Sequence, residues 1–254
     1  MSKQNGMMKQ LTKLGLILMM GVSMSACSSS VTWKEEVLLH DGSKIIVNRS
    51  QGYGGRHEIG QGGSIKEQEI IFTMPNTNKS LTFKSEFGED IGGINFILLA
   101  LHISNGTPYM VVEPRGCLAS NKWGRPPHYV FFRHDGQAWQ RIPLSAFPPE
   151  FKSINLVVNT KGEEKIITAQ SVVSAELVGR LNGNYQTIQR DAVRYEGPGS
   201  CGEMIYGGKD NGGSGGWHGV GLFGDTYETC LQYCKRHKIS ERYSPCETLF
   251  KGKK

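Results

Sequence analysis

His128-Tyr129-Val130-Phe131-Phe132-Arg133-His134-Asp135-Gly136-Gln137-Ala138-Trp139-Gln140-Arg141-Ile142-Pro143-Leu144 is the stretch that decides the fold class. Residues 128–133 alternate as a strand does. His134-Asp135-Gly136 is a turn, and residues 138–144 return with Trp139 and Ile142. An Asp-Gly pair between two alternating runs is a strong hairpin signal.

The same turn occurs upstream. His40-Asp41-Gly42 separates Trp33–Leu39 from Lys44–Arg49, which again alternates. The repetition has a weak likeness to the aspartate turns of propeller blades. Two occurrences without a regular period do not make a propeller, so both read as ordinary hairpins. Gln68–Met74 and Ser80–Ser85 flank Pro75-Asn76-Thr77-Asn78, a third hairpin. Ile94–Ile103 is almost unbroken apolar sequence, which predicts a central strand. Asn105-Gly106 turns it into 108–112. Between these elements, the Gly-rich segment Gln51–Gly63 reads as a mobile loop.

Beyond about residue 160 the pattern changes. Val173, Leu177 and Leu181 recur every fourth position over Ser171–Leu181, which predicts an amphipathic helix ended by Asn182-Gly183. Gly197–Gly224 is dense in glycine and reads as an irregular loop. Asp225–Lys238 reads as a second helix, with Asp225 as cap and Lys235, Arg236, His237 and Lys238 at its C-terminal end, where the helix dipole favours cations. The expected fold is therefore α+β: a mainly antiparallel β domain over 31–160, then a small helical, disulfide-stapled portion over 161–254.

The N-terminus gives an address. Lys3, Lys9 and Lys13 precede an apolar run from Leu14 to Val22, and small residues lead to Cys27. This is the pattern of a secretory signal. A run that short cannot cross a bilayer as a helix, which needs about 20 residues. Met24-Ser25-Ala26-Cys27 resembles a lipobox, with Met where Leu is commonest. Residues 1–26 are then a cleaved signal peptide, Cys27 is the lipidated first residue, and residues 27–30 are anchor and tether. By likeness to enterobacterial sorting rules, Ser28 after the cysteine directs the protein to the outer membrane, on its periplasmic or surface face.

Cleavage removes three of the lysines and halves the formal charge of +6. The remainder is too small to argue for nucleic acid, and no basic stripe interleaved with aromatics occurs. Six cysteines are present: Cys27, Cys117, Cys201, Cys230, Cys234 and Cys246. Lipidation takes one, and an oxidising compartment makes disulfides the default for the rest. Two bridges are expected among Cys201, Cys230, Cys234 and Cys246, with Cys117 reduced. Cys230 and Cys234 share a helix face but sit too far apart to pair with each other. The sequence leaves open Cys201–Cys230 with Cys234–Cys246, or Cys201–Cys234 with Cys230–Cys246. A tail that doubles back along the helix favours the second. A metal site of Cys230, Cys234, His218 and His237 is the rival reading. It is disfavoured by the redox setting and by a spacing that matches no familiar zinc motif.

No catalytic constellation stands out. Gly197-Pro198-Gly199-Ser200-Cys201-Gly202-Glu203 lacks the Lys-Ser/Thr ending of a phosphate loop. No nucleophile-elbow, zinc-protease or calcium-loop motif occurs, and Glu113, Asp135 and Glu150 form no recognisable acid pair. No cofactor is implied.

Arg115-Gly116-Cys117 and Lys122-Trp123-Gly124-Arg125-Pro126-Pro127-His128-Tyr129-Val130-Phe131-Phe132 resemble a family of uncharacterised proteobacterial lipoproteins. These share a Cys followed by a Trp-Gly-x-Pro loop and a Tyr-Val-Phe-Phe strand. The likeness covers about residues 27–160 and implies a lipoprotein with no assigned activity. The expectation is a lipid-anchored envelope protein that binds another protein or a glycan, with Trp123 and Arg125 on its contact loop, because aromatic and Arg residues dominate interface hot spots. The competing role for Trp123 is packing against the sheet. The alternative function is a periplasmic hydrolase, which requires His128, His134 and Asp135 around one cleft.

Overall fold

Two antiparallel meanders account for the architecture. In the first, β1 (Ser30–Leu38), β2 (Lys44–Gly54), β3 (Ser64–Thr73) and β4 (Ser80–Ser85) pair in sequence order. A short ladder of β5 (Phe87–Gly88) and β6 (Gly93–Ile94) follows. The second meander is β7 (Phe96–Ser104), β8 (Thr107–Pro114), β9 (Val130–His134) and β10 (Trp139–Ile142), again neighbour to neighbour. The computed structural model describes residues 29–54, 63–124, 129–184, 193, 201–208 and 215–250. Residues 1–26, expected as a signal peptide, and Cys27 lie outside the described residues.

The hairpins follow from their turn chemistry. Gly42 and Gly136 hold φ of +83° and +102°, which a residue without Cβ adopts at no steric cost. The Asp41 carboxylate accepts from Ser43 N at 2.9 Å, and Asp135 accepts from Gln137 N and Ala138 N, both at 2.8 Å. Such side-chain bonds close a turn locally, before any tertiary contact exists.

Strand alternation then sorts the faces. Val37, Val47, Ile70, Phe72, Leu81 and Phe83 of the first sheet meet Phe96, Leu98, Leu101, Met110, Val112, Val130 and Phe132 of the second in one buried cluster. Each such side chain contributes about 1.5–3 kcal/mol relative to exposure. The second sheet is also covered on its other face. Leu99, Ala100, Val111, Tyr129 and Phe131 pack against Phe147, Phe151, Ile154 and Val158.

This corrects the reading of the long apolar run. β7 lies at the end of its ladder rather than in the centre, and it is apolar because both its faces are buried. Its free edge is covered by the chain returning at Asn155 and Leu156, whose N–H groups both donate to Leu99 O. Asn155 completes the seal. Its Oδ1 accepts from Leu101 N at 2.9 Å, and its Nδ2 donates to Leu101 O and Leu38 O.

The first sheet's inner face is polar at one end. Glu35 and Arg49 are closed off from solvent and 3.2 Å apart. Trp33 Nε1 and Val157 N both donate to Glu35 at 2.8 Å, and Arg49 lies over the Trp33 ring. Further along, Gln68 donates to Gln51, Gln51 to Tyr53, and Tyr53 to Glu164, while Thr160 bonds Gln51. Burial, then Glu164, pushes the Tyr53 phenol up to about 12.

The first predicted helix is shorter than its periodicity. Val173 forms a parallel bridge with β1, giving N–H to Lys34 O and carbonyl to Glu36 N. The helix therefore begins at Ala175, capped by Ser174, and ends at Leu181. A helix over Glu164–Thr168 precedes it. Both pack their apolar residues on Trp33.

Two loop readings are also revised. The pairing of β2 runs through Gln51 to Gly54, so only residues 55–62 of that segment fall outside the described residues. Ser30, read as tether, is the first residue of β1, and Ser29 O already accepts from Tyr53 N. The Gly-rich segment contains a hairpin of β11 (Met204–Gly207) and β12 (Gly216–Gly219). The last long helix is Tyr227–Arg236, and its cap is Thr226 in a reciprocal pair with Thr229, not Asp225. A helix over Cys246–Phe250 closes the described chain. The fold is thus α+β, mainly antiparallel sheet with helices towards the C-terminus, where the Cys230–Cys246 disulfide joins two of them.

The cysteine expectations change at two positions. Cys117 is not reduced: it lies in the first turn of the short helix Gly116–Lys122 and is bonded to Cys201. Cys234, expected to reach Cys201, is a buried free thiol. The C-terminal helix places Cys230 and Cys234 on one buried face, but Cys201 belongs to a segment held against Asn121 instead, where Asn121 Nδ2 donates to Met204 O.

Candidate functional site

β4 and β10 are edge strands of the two sheets, and side chains link them. Trp139 on β10 donates Nε1 to Thr82 O on β4 at 2.7 Å. At the turn end, Lys79 Nζ donates to Gly136 O at 2.7 Å. Trp139 also lines a cleft of about 290 Å³.

Its walls are aromatic. Phe83, Phe96 and Phe132 form the floor, and Trp123 and Trp139 stand at the sides. Phe96 packs on Trp123 at 4.6 Å between centroids, and Phe83 meets Trp139 edge-on at 5.2 Å. Trp123 closes the helix Gly116–Lys122, and its indole N–H donates to Asn95 Oδ1 at 3.2 Å. Arg141 lies over the Trp123 ring at 6.0 Å. Both indoles thus have satisfied N–H groups and fixed planes, while each ring stays half-exposed.

The rim is polar. Lys84, Glu86 and Asn95 border the cleft. Lys84 bridges Glu67 at 3.1 Å and Glu86 at 3.9 Å. Its bond to Glu67 holds the ammonium above its usual range, so the rim carries both signs of charge. An apolar floor with a few polar groups at the mouth is the ordinary constitution of a ligand site.

Trp123 packs against the core cluster, the competing role the sequence offered for it, and also lines the cleft. Arg125 and His128 lie outside the described residues. Sequence reading missed Phe83, Phe96, Asn95 and Trp139 as partners, because they come from three separate strands and the bend before β7. Trp139 carried the one available signal, an aromatic on a short edge hairpin.

A second cleft, of about 410 Å³, lies at the hairpin end and includes Lys79, Tyr109, Arg133, His134 and Asp135. Burial, then Lys79, pushes the His134 imidazole below its usual range, and its Nδ1 accepts from Gly136 N at 3.0 Å. The Asp135 carboxylate is held low by the backbone N–H groups of Ala138 and Gln137 in its own turn. Both residues thus help to close the hairpin, His134 through Nδ1 and Asp135 through Oδ1.

At the C-terminus the rival ligand set is split in two. His218 and His237 meet edge-on at 5.7 Å, and Tyr233 stacks on His237 with its hydroxyl 3.0 Å from His218 Nδ1. The sulfurs of Cys230, Cys234 and Cys246 gather within 4.8 Å of one another, without either histidine. Among the described residues no helix is long and apolar enough to cross a membrane. Compared with protein-family models, with curated proteins and with solved structures, the chain matches none of them.

Proposed function

We propose that this is a lipid-anchored cell-envelope protein that binds a glycan in the aromatic cleft between β4 and β10. The observation that carries the reading is the pair of half-exposed indoles, Trp123 and Trp139, held rigid on either side of one cleft by their own N–H bonds. Flat apolar ring faces suit the C–H face of a sugar, and the rim of Lys84, Glu86 and Asn95 suits its hydroxyls.

The anchor rests on the signal pattern ending at Cys27. It also sets the geometry of the proposal. Strand pairing begins at Ser29 and Ser30, so the anchor leaves from that end of the first sheet. Ser85 pairs with Gln68, Gln68 with Gln51, and Gln51 with Val31, which puts the cleft at the same end. Three strand spacings separate them sideways, about 14 Å. A ligand at the membrane surface is within reach of such a site.

Two measurements test this. Mass spectrometry of the mature N-terminus is expected to show a diacylated or triacylated Cys27, and Cys27→Ser to leave the protein unlipidated; an unmodified N-terminus removes the anchor. Titration of intrinsic fluorescence with oligosaccharides from lipopolysaccharide and from peptidoglycan is expected to give saturable binding that Trp139→Ala weakens at least tenfold. Equal binding by wild type and variant, or no binding to either sugar, removes the glycan reading.

A further inference from the structure

We propose that Cys230, Cys234 and Cys246 form a thiol–disulfide exchange triad, in which Cys246 is the common partner of two interchangeable bridges. The bonded pair is Cys230–Cys246. The third cysteine is no bystander: Cys234 Sγ lies 3.7 Å from Cys246 Sγ, and all three sulfurs fall within 4.8 Å of one another. That separation is van der Waals contact between the nucleophile and the sulfur it would attack.

The helix Tyr227–Arg236 explains the arrangement. Its 3.6-residue turn stacks Cys230 and Cys234 on one face. The chain reverses after Ile239, and the helix Cys246–Phe250 lays Cys246 against both. Phe223 and Ile239 close the cluster, leaving all three cysteines buried. External thiols therefore do not reach it readily, and the partner available to the Cys234 thiol is the neighbouring bridge.

The step needs no oxidant. Cys234 loses its proton and attacks Cys246 Sγ. A Cys234–Cys246 bond forms as the Cys230–Cys246 bond breaks. Cys230 leaves as a thiolate and takes up a proton, so one disulfide and one thiol exist before and after. The Ser244 hydroxyl, 3.6 Å from Cys234 Sγ, is the polar group beside the attacking sulfur.

Chain entropy does not separate the two states. The bridges span 16 and 12 residues, and loop closure distinguishes those lengths by only about 1.5-fold. Both registers also pin the same two helices.

Full-length protein extracted from envelopes without reductant is held at about pH 8.5, where a free thiol is substantially ionised. It is then acid-quenched, alkylated in denaturant and mapped. The expected result is label on both Cys230 and Cys234 and none on Cys246. Label confined to Cys234, however long the incubation, overturns the proposal. As a second arm, Cys230→Ser is expected to carry a Cys234–Cys246 bridge and no free thiol among the remaining C-terminal cysteines. Two free thiols in that variant overturn it equally.

Discussion

The indole N–H of Trp139 donates to the carbonyl of Thr82 at 2.7 Å, joining the edge strand of one sheet to the edge strand of the other. An open edge strand is a template for unwanted pairing, and this bond occupies one of its exposed carbonyls. Trp139→Phe keeps most of the ring and removes the donor, so it should lower stability by about 1 kcal/mol in urea unfolding. Trp139→Ala also removes the ring packed on Phe83 and should cost about 2 kcal/mol, less than a fully buried Trp because the side chain is half-exposed. A Phe variant as damaged as the Ala variant would show that the hydrogen bond, not the ring, holds the edges together.

Glu35 and Arg49 should behave as a unit. Arg49 is buried with Glu35 as its ionic partner, and Glu35 also receives Trp33 Nε1 and Val157 N. Burial pulls the guanidinium below its usual range, with Glu35 opposing that pull. Removing the carboxylate charge strands a cation in the interior. Glu35→Gln should therefore cost about 3–5 kcal/mol. The double variant Glu35→Leu with Arg49→Met should recover part of this loss, since both charges leave together. Strict additivity of the single effects in a double-mutant cycle would refute the coupling.

His102 makes stability depend on pH. Its ring stacks on Phe151 at 4.4 Å, and Nε2 lies 3.2 Å from Ser153 O. Burial pushes its pKa from 6.5 down to about 4; the Ser153 carbonyl opposes that shift, His40 adds to it and Glu150 opposes it. Between those two values the unfolded chain binds a proton that the folded protein does not. Stability is thus full above about pH 6.5 and falls as the pH drops towards 4, by up to about 3 kcal/mol from this group alone. His102→Phe should flatten that part of the profile. Parallel curves for variant and wild type between pH 7 and 4 would mean that His102 is not responsible.

The Cys117–Cys201 bridge closes a span of 84 residues. Long loops lose the most unfolded-state entropy on cross-linking, and the chain-entropy value here is about 4–5 kcal/mol. Cys117→Ser should lower the unfolding midpoint by a large part of that amount. The segment at Met204 should then become sensitive to protease, because its other described hydrogen bonds to the short helix are two long ones, Asn121 Nδ2 to Met204 O at 3.3 Å and Met204 N to Asn121 Oδ1 at 3.5 Å. An unchanged midpoint with an unchanged digest would show that the bridge carries no load.

What the sequence determined by itself was local. Asp41-Gly42, Asp135-Gly136 and Asn105-Gly106 encode their turns in backbone geometry and short side-chain bonds. Alternation then sorted β1 to β4 into inner and outer faces. Those signals need no knowledge of what lies across the core, so the α+β class and the hairpins were legible. The Cys230–Cys246 pairing was legible as one of two options, because helix spacing and a returning tail constrain it.

Tertiary structure decided everything set by residues far apart in the chain. The run at β7 could not reveal that it ends its ladder, because apolar sequence reports burial on both faces and not position in the sheet. Val173 is apolar in helical register, yet its backbone is claimed by β1, so the helix starts after it. Cys117 and Cys201 become neighbours only when the helix Gly116–Lys122 docks the segment at Met204. The cleft joins β4, β7, β9, β10 and Trp123, and no local pattern records such a meeting. Short-range chemistry is written along the chain, whereas contacts closed by the packing of two sheets exist only once both sheets have formed.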